Sequence, residues 1–97
     1  MSFFFITNST LAFVVVEEVC KNKLDEFMSD DINCRKQTFE YELLNNERLV
    51  IAFETDETAL FVVVTITFKN KVQKTVVFYK DNFSDAVLTE IKKGWIF

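Results

Sequence analysis

The sequence contains no histidine and no proline, and its single glycine is Gly94. Without histidine, neither a histidine-based catalytic dyad nor a Cys/His zinc site can be built. The lack of proline and near lack of glycine leave no linker and no glycine-rich phosphate loop. The carboxylates fall on turns and exposed strand positions, where nothing apolar is predicted to raise a pKa. We therefore expect a protein that is not an enzyme and needs no metal or cofactor.

Cysteine is also scarce, because Cys20 and Cys34 are the only two and form no CxxC pattern. The apolar residues 1–16 include no basic n-region and are followed by Glu17 and Glu18 and not by an A-x-A cleavage pattern, which argues against a signal peptide. Polar residues 7–10 interrupt this run, so it is too short to cross a bilayer. The sequence therefore predicts reduced thiols, a cytoplasmic location and no membrane segment.

The charge is acidic, with fifteen Asp and Glu against eleven Lys and Arg and a net charge of −4. Proteins that bind the phosphate backbone of nucleic acids need a stripe of Lys and Arg, which this balance does not favour. We expect no direct nucleic-acid binding, and a charged partner would be a basic protein.

The stretch from Gln37 to Lys80 has four apolar-rich segments separated by short polar ones, and the alternation within them has a period of two. This pattern predicts a four-stranded antiparallel meander. With a helical pattern before it and another after it, residues 1–97 are expected to form one compact α+β domain.

Strand register can be predicted from which side chains share a face. A three-residue loop at residues 45–47 sets Leu43, Tyr41 and Phe39 opposite Leu49, Ile51 and Phe53. A two-residue Asn-Asn turn would instead set Glu40 and Glu42 against large apolar residues, at a cost of several kcal/mol, so we favour the three-residue loop.

The later turns are predicted in the same way. A four-residue turn over 55–58 brings Leu60, Val62 and Val64 into register with Phe53, Ile51 and Leu49. The third strand then runs over 59–68, residues 69–71 turn, and the fourth strand covers 72–80. Two sets of side chains alternate in the fourth strand, Val72, Val76 and Phe78 in one and Gln73, Thr75, Val77 and Tyr79 in the other, and the pattern leaves open which set is buried.

Helical spacing appears on both sides of the meander. Cys20, Leu24 and Phe27 predict an amphipathic helix over 17–29, with Glu17 and Glu18 in its first turn. A second helix follows a cap at Asn82 or Ser84, with the apolar stripe Ala86, Val87, Leu88 and Ile91, and ends before Gly94.

The N-terminal residues allow two interpretations. The β-branched run Val14–Val16 favours a hairpin of strands 3–6 and 11–16 that extends the sheet. The competing interpretation is a single helix from Ser9 to Met28. At the other end, residues 95–97 are large and apolar, and we expect them to fold back onto the domain or to enter a partner.

Two surface features suggest function. Val50, Ala52, Phe61 and Val63 form a second apolar sheet face, which suggests a partner or homodimer interface. The acidic residues form clusters that suggest a surface complementary to a basic protein. The predicted partner-binding residues are Asp30, Asp31, Glu40, Glu42, Glu54, Asp56 and Glu57.

These features predict a small acidic protein-binding module. Inhibitors of basic nucleases, such as toxin immunity proteins and phage anti-defence proteins, share its size, its charge and its lack of catalytic residues. This analogy carries no sequence motif. The alternatives are a small-ligand-binding module with a Phe-rich cavity, and a structural piece of a homodimer.

Overall fold

The computed structural model describes residues 7–29, 36–56, 58 and 60–93, which form two α-helices and a four-stranded antiparallel sheet. Along the chain these are α1 (Asn8–Ser29), β1 (Lys36–Glu42), β2 (Arg48–Thr55), β3 (Phe61–Phe68), β4 (Lys71–Tyr79) and α2 (Asp85–Lys92). Each strand pairs with the next one along the chain, in the order β1-β2-β3-β4. The predicted α+β class and the antiparallel meander are confirmed.

The N-terminal hairpin prediction is wrong, because residues 11–16 are helical. Helix α1 begins directly after Thr7, whose hydroxyl accepts a hydrogen bond from the Thr10 N–H at 3.1 Å and whose carbonyl accepts one from the Leu11 N–H at 3.1 Å. These bonds satisfy two donors that a helix start leaves open. The competing single helix is close to the observed one, and residues 3–6 lie outside the described residues.

Burial explains why the β-branched run is helical. The buried side chains of α1 recur every three or four positions, so they share one face: Ala12, Val16, Val19, Cys20, Leu24, Phe27 and Met28. Packing of that face outweighs the modest helix penalty of valine. Because the helix starts at Asn8, the prediction that Glu17 and Glu18 stand in its first turn is wrong.

The first hairpin keeps the predicted faces but not the predicted register. Tyr41 lies opposite Leu49 and Phe39 opposite Ile51, which is two residues from the predicted pairing. The connection is longer than expected, since it covers residues 43–47, where Asn45 and Asn46 take left-handed φ of 57° and 62°. A shift of two residues leaves every side chain on its predicted face.

The second hairpin is shifted by four residues. Phe53 lies opposite Val64 and Ile51 opposite Ile66, and β3 starts only at Phe61. The predicted pairing of Leu60 with Phe53 is therefore wrong, and Leu60 is exposed. The β3–β4 connection is shorter than the predicted three residues, because Phe68 pairs directly with Lys71.

The core lies between one face of the sheet and both helices. It contains Leu49, Ile51 and Phe53 from β2, Val62, Val64, Ile66 and Phe68 from β3, and Phe78 from β4, together with the buried face of α1 and Ile91 of α2. In the fourth strand, Val76 and Phe78 face this core whereas Val77 and Tyr79 are exposed. Val72 was predicted to share a face with Val76 and Phe78, but it is 63% exposed, because a β-bulge between Val72 and Lys74 shifts the alternation.

Helix α2 follows Ser84, whose carbonyl accepts bonds from Val87 and Leu88, although the Ser84 side chain makes no capping bond. Ile91 is buried, Val87 and Leu88 are half-buried, and Ala86 is exposed. The predicted apolar stripe is therefore confirmed for Val87, Leu88 and Ile91 but not for Ala86. Residues 94–97, including Gly94, lie outside the described part of the chain.

Polar side chains also join elements that are distant in sequence. The Asn8 side chain donates to the Leu44 carbonyl at 2.9 Å and accepts from the Leu44 N–H at 2.8 Å, which ties the start of α1 to the β1–β2 connection. The Lys92 ammonium lies 3.3 Å from the Glu17 carboxylate and joins the two helices. The hydrogen bonds and charges of Lys92 and Lys21 lower the pKa of Glu17.

Candidate functional site

The sheet face opposite the core, here called the open face, is the most distinctive surface of the described residues. Both helices belong to the buried core on the other side. The predicted second-face residues Val50, Ala52, Phe61 and Val63 all lie on the open face and are half-buried. Neither described helix covers them.

The apolar residues of the open face concentrate on β3 and β4. Phe61 lies opposite Tyr79 and Val63 opposite Val77, and the rings of Phe61 and Tyr79 have centroids 4.4 Å apart. Val77 is 59% exposed and Tyr79 is 54% exposed. We call Phe61, Val63, Val77 and Tyr79 the aromatic patch. Exposed aromatic and aliphatic side chains packed together are typical of protein-binding surfaces.

One part of the predicted acidic set borders this patch. Glu54 is exposed on the open face of β2, and its Cα pairs with that of Val63 in β3. Asp56 follows in the β2–β3 connection and accepts a hydrogen bond from the backbone of Phe61 at 3.4 Å. The structure therefore brings two predicted carboxylates to the edge of the aromatic patch.

The other described carboxylates are elsewhere. Glu40 and Glu42 lie on β1, and Glu40 pairs with Val50, which is four residues, or about 13 Å, along β2 from Glu54. Arg48 lies opposite Glu42, and its guanidinium is 3.9 Å from the Glu40 carboxylate. The acidic residues are therefore two separated groups, and Arg48 offsets one of them. Asp30, Asp31 and Glu57 are outside the described residues.

Asp56 has a structural role that its sequence position did not reveal. Its carboxylate accepts hydrogen bonds from the Thr58 hydroxyl at 2.6 Å and from the Leu60 N–H at 3.1 Å, in addition to the Phe61 N–H. Two of these bonds satisfy the backbone N–H groups of Leu60 and Phe61, as Asp side chains do in many turns. Asp56 therefore shapes the loop that delivers Phe61 to the aromatic patch.

We expect Asp56→Ala to lower the free energy of unfolding by about 1–2 kcal/mol, because it removes charge-assisted hydrogen bonds from the loop. Glu54→Ala, two residues away on the exposed strand surface, is the matched control and should change it by less than about 0.5 kcal/mol. Urea denaturation of both variants measures the difference. Equal effects would show that the Asp56 carboxylate is only one more solvated charge.

The sequence pattern does not assign Val77 and Tyr79 to the functional surface, because it leaves open which side chains of the fourth strand are buried. The sequence contains one signal that distinguishes the two sets. The set with Val76 and Phe78 is the more apolar, whereas the other set contains Tyr79, whose hydroxyl can hydrogen-bond to water. Choosing Phe78 as the buried residue would have placed Val77 and Tyr79 beside Phe61 and Val63.

A second surface feature lies on the helical side. Val15 and Val19 of α1 and Tyr41 of β1 form a groove of about 200 Å³, with Glu18, Asn22 and Lys23 at its borders. Small-molecule sites usually have volumes of about 300–1,000 Å³. Inside the core, the Phe53 ring packs against those of Phe27 and Phe39, at centroid distances of 5.6 and 5.4 Å. The phenylalanines at the centre therefore pack against one another.

The described residues contain no group of three or more side chains suited to hold a metal ion. Neither of their helices has the length and apolar character needed to cross a membrane. Comparison of the chain with protein-family models, curated proteins and solved structures gives no significant match.

Proposed function

We propose that this chain is a protein-binding module and that its partner is a basic protein, such as a nuclease that the module inhibits in the manner of toxin immunity or phage anti-defence proteins. The observation that carries the proposal is the aromatic patch on the open face, where Val77 and Tyr79 are exposed to solvent, Phe61 and Val63 are half-buried, and Glu54 lies beside Val63. Tyr and Phe are enriched in the central part of protein interfaces, which is more apolar than the rim.

The chemistry at the border of the patch favours a basic partner. An Arg or Lys side chain can lie over the ring of Tyr79 or Phe61 while its charge pairs with the Glu54 carboxylate. The net charge of −4 would speed the encounter with a positively charged surface. Glu40 and Glu42, which lie beyond Val50 and next to Arg48, would add to this steering and not to the contact itself.

The test uses immobilised chain to capture proteins from an extract of the cells that express it, followed by identification and purification of the captured protein. We expect a basic protein. Tyr79→Ser should weaken its binding about tenfold or more, since an interface aromatic often contributes over about 1.4 kcal/mol. Glu54→Gln should slow association and reduce its dependence on salt. Asp56 stays unchanged, because its substitution would also alter the loop.

Two matched controls separate this surface from others. Val14→Ser removes an apolar side chain that is 51% exposed, but on α1. Glu42→Gln neutralises an exposed carboxylate at the other end of the sheet. Val14→Ser should leave binding unchanged, and Glu42→Gln should slow association less than Glu54→Gln does, with no change in dissociation. An acidic partner, or a partner that binds the Tyr79→Ser and Glu54→Gln variants as tightly as the wild type, would contradict the proposal.

A further inference from the structure

The outer edge of β4 differs from the outer edge of β1 in a way that bears on self-association. These are the two edge strands of the sheet formed by the described residues. The backbone of an edge strand has hydrogen-bonding groups that point away from the sheet and can pair with another strand. Which residues present those groups follows from the hydrogen bonds at the strand ends.

The bond from the Lys80 N–H to the Leu60 carbonyl, at 2.8 Å, shows that the even-numbered residues of β4 from Lys74 onward point their backbone groups toward β3. The outward backbone groups therefore belong to Thr75, Val77 and Tyr79, none of which is charged. In β1 the bond from the Leu43 N–H to the Glu47 carbonyl shows that odd-numbered residues point their backbone groups toward β2. Its outward residues are Lys36, Thr38, Glu40 and Glu42.

Charged residues on an edge strand are a common means of preventing strand pairing, and β1 has three at its outward positions. The corresponding part of β4 has none, and the run Thr75–Tyr79 consists of residues with high β-propensity. We propose that two copies of this chain associate through the outer edges of β4 and form one continuous eight-stranded antiparallel sheet.

The register of this pairing follows from two features of β4. A β-bulge interrupts the ladder where Ile66 pairs with Lys74 and Thr67 with Val72, so the regular edge starts at Lys74. A two-fold axis at Val77 would set Lys74 against Lys80 of the other copy, which is unfavourable. An axis at Val76 avoids that contact and sets Thr75 opposite Val77 of the other copy.

With the axis at Val76, the paired segment runs from Lys74 of each copy to Phe78 of the other and ends before the bulge. On the open face, Val77 and Tyr79 of both copies then lie on one surface, so the two aromatic patches become continuous. The association depends on the β4 edge and not on the identity of the basic partner proposed above.

Sedimentation equilibrium of the full chain over a wide range of concentration tests the proposal, and we expect a reversible dimer. Val77→Pro removes one outward N–H without removing a β3–β4 bond, because proline is tolerated where the N–H of an edge strand faces outward. It should weaken association about tenfold or more, the equivalent of about 1.4 kcal/mol. Thr38→Pro removes an outward N–H from β1 and is the matched control, with no change expected.

If circular dichroism shows that Val77→Pro does not fold, a second pair of variants tests the proposal. Thr75→Lys places a charge opposite Val77 of the other copy and should weaken association. Adding Val77→Asp to it creates two Lys–Asp pairs across the axis and should restore association. A chain that is monomeric at every concentration would overturn the proposal. So would a dimer that Thr75→Lys leaves intact, or one that only Thr38→Pro dissociates.

Discussion

Replacing Phe53 by alanine is expected to lower the free energy of unfolding by about 3–5 kcal/mol, the range for removing a large aromatic side chain from a core. The Phe53 side chain has no exposed surface, and its ring contacts Phe27 of α1 and Phe39 of β1. The resulting cavity would be bounded by three elements that cannot all move inward together. Urea denaturation measures the loss.

Glu40→Ala is the control for this experiment, because Glu40 lies on the opposite face of the same sheet. Its carboxylate is 3.9 Å from the Arg48 guanidinium, but both side chains are largely exposed. Exposed ion pairs contribute little, so the change should stay below about 0.5 kcal/mol. A loss as large as that of Phe53→Ala would mean that the assignment of the two sheet faces is wrong.

The second large effect is expected at alkaline pH and concerns Cys20, a buried free thiol of α1. Burial raises the pKa of Cys20 from 9.0 to about 12. Between these values the unfolded chain loses the thiol proton while the folded chain keeps it. The free energy of unfolding should therefore fall as pH rises above 9, by up to about 1.4 kcal/mol per pH unit from this group, and no such loss should occur below pH 9.

Lysines titrate in the same range, so the comparison is between the wild type and Cys20→Ala. The variant should be less stable at neutral pH, yet its stability should fall less steeply at alkaline pH. In the wild type, the thiolate fraction of Cys20 near neutral pH should be about a thousandfold below that of an ordinary thiol, which predicts very slow alkylation in the folded state. If the free energy of unfolding fell equally steeply with pH in both proteins, or if native Cys20 were alkylated rapidly, the raised pKa of Cys20 would be contradicted.

The sequence predicted the faces of the sheet better than its register. Alternation with period two distinguishes odd from even positions, and register shifts of two and four residues preserve that distinction. The exact pairing depends on the connections. Asn45 and Asn46 adopt left-handed conformations, and Asp56 bonds to Leu60 and Phe61. Neither feature has a periodic signal, so the predicted β1–β2 and β2–β3 loops are too short.

The start of α1 shows where local propensity fails. Val14–Val16 favour a strand when read alone, but Ala12, Val16 and Val19 continue the spacing of Cys20 and Leu24 into the N-terminal residues. That spacing was available in the sequence and outweighs propensity. The cap at Thr7 was missed because it precedes Ser9, where the competing helix was predicted to begin.

The predicted binding residues illustrate a different limit. The acidic clusters were predicted to form one binding surface, but the meander separates Glu40 and Glu42 from Glu54 along the strands. Conversely, residues far apart in sequence, Phe61 and Tyr79, are brought into contact by strand pairing. Predicting such a surface requires the strand register and the knowledge of which side chains of β4 are buried.

The order of elements along the chain has a consequence for folding. The meander joins neighbouring strands through short connections, so the sheet can form from local contacts. Helix α1 precedes the whole sheet, yet its apolar face packs into a core with Ile51 of β2 and Val64 of β3. During synthesis from the N-terminus, that face remains in water until the third strand has left the ribosome. Helix α1 is therefore synthesised before the sheet but is among the last of the described elements to be buried.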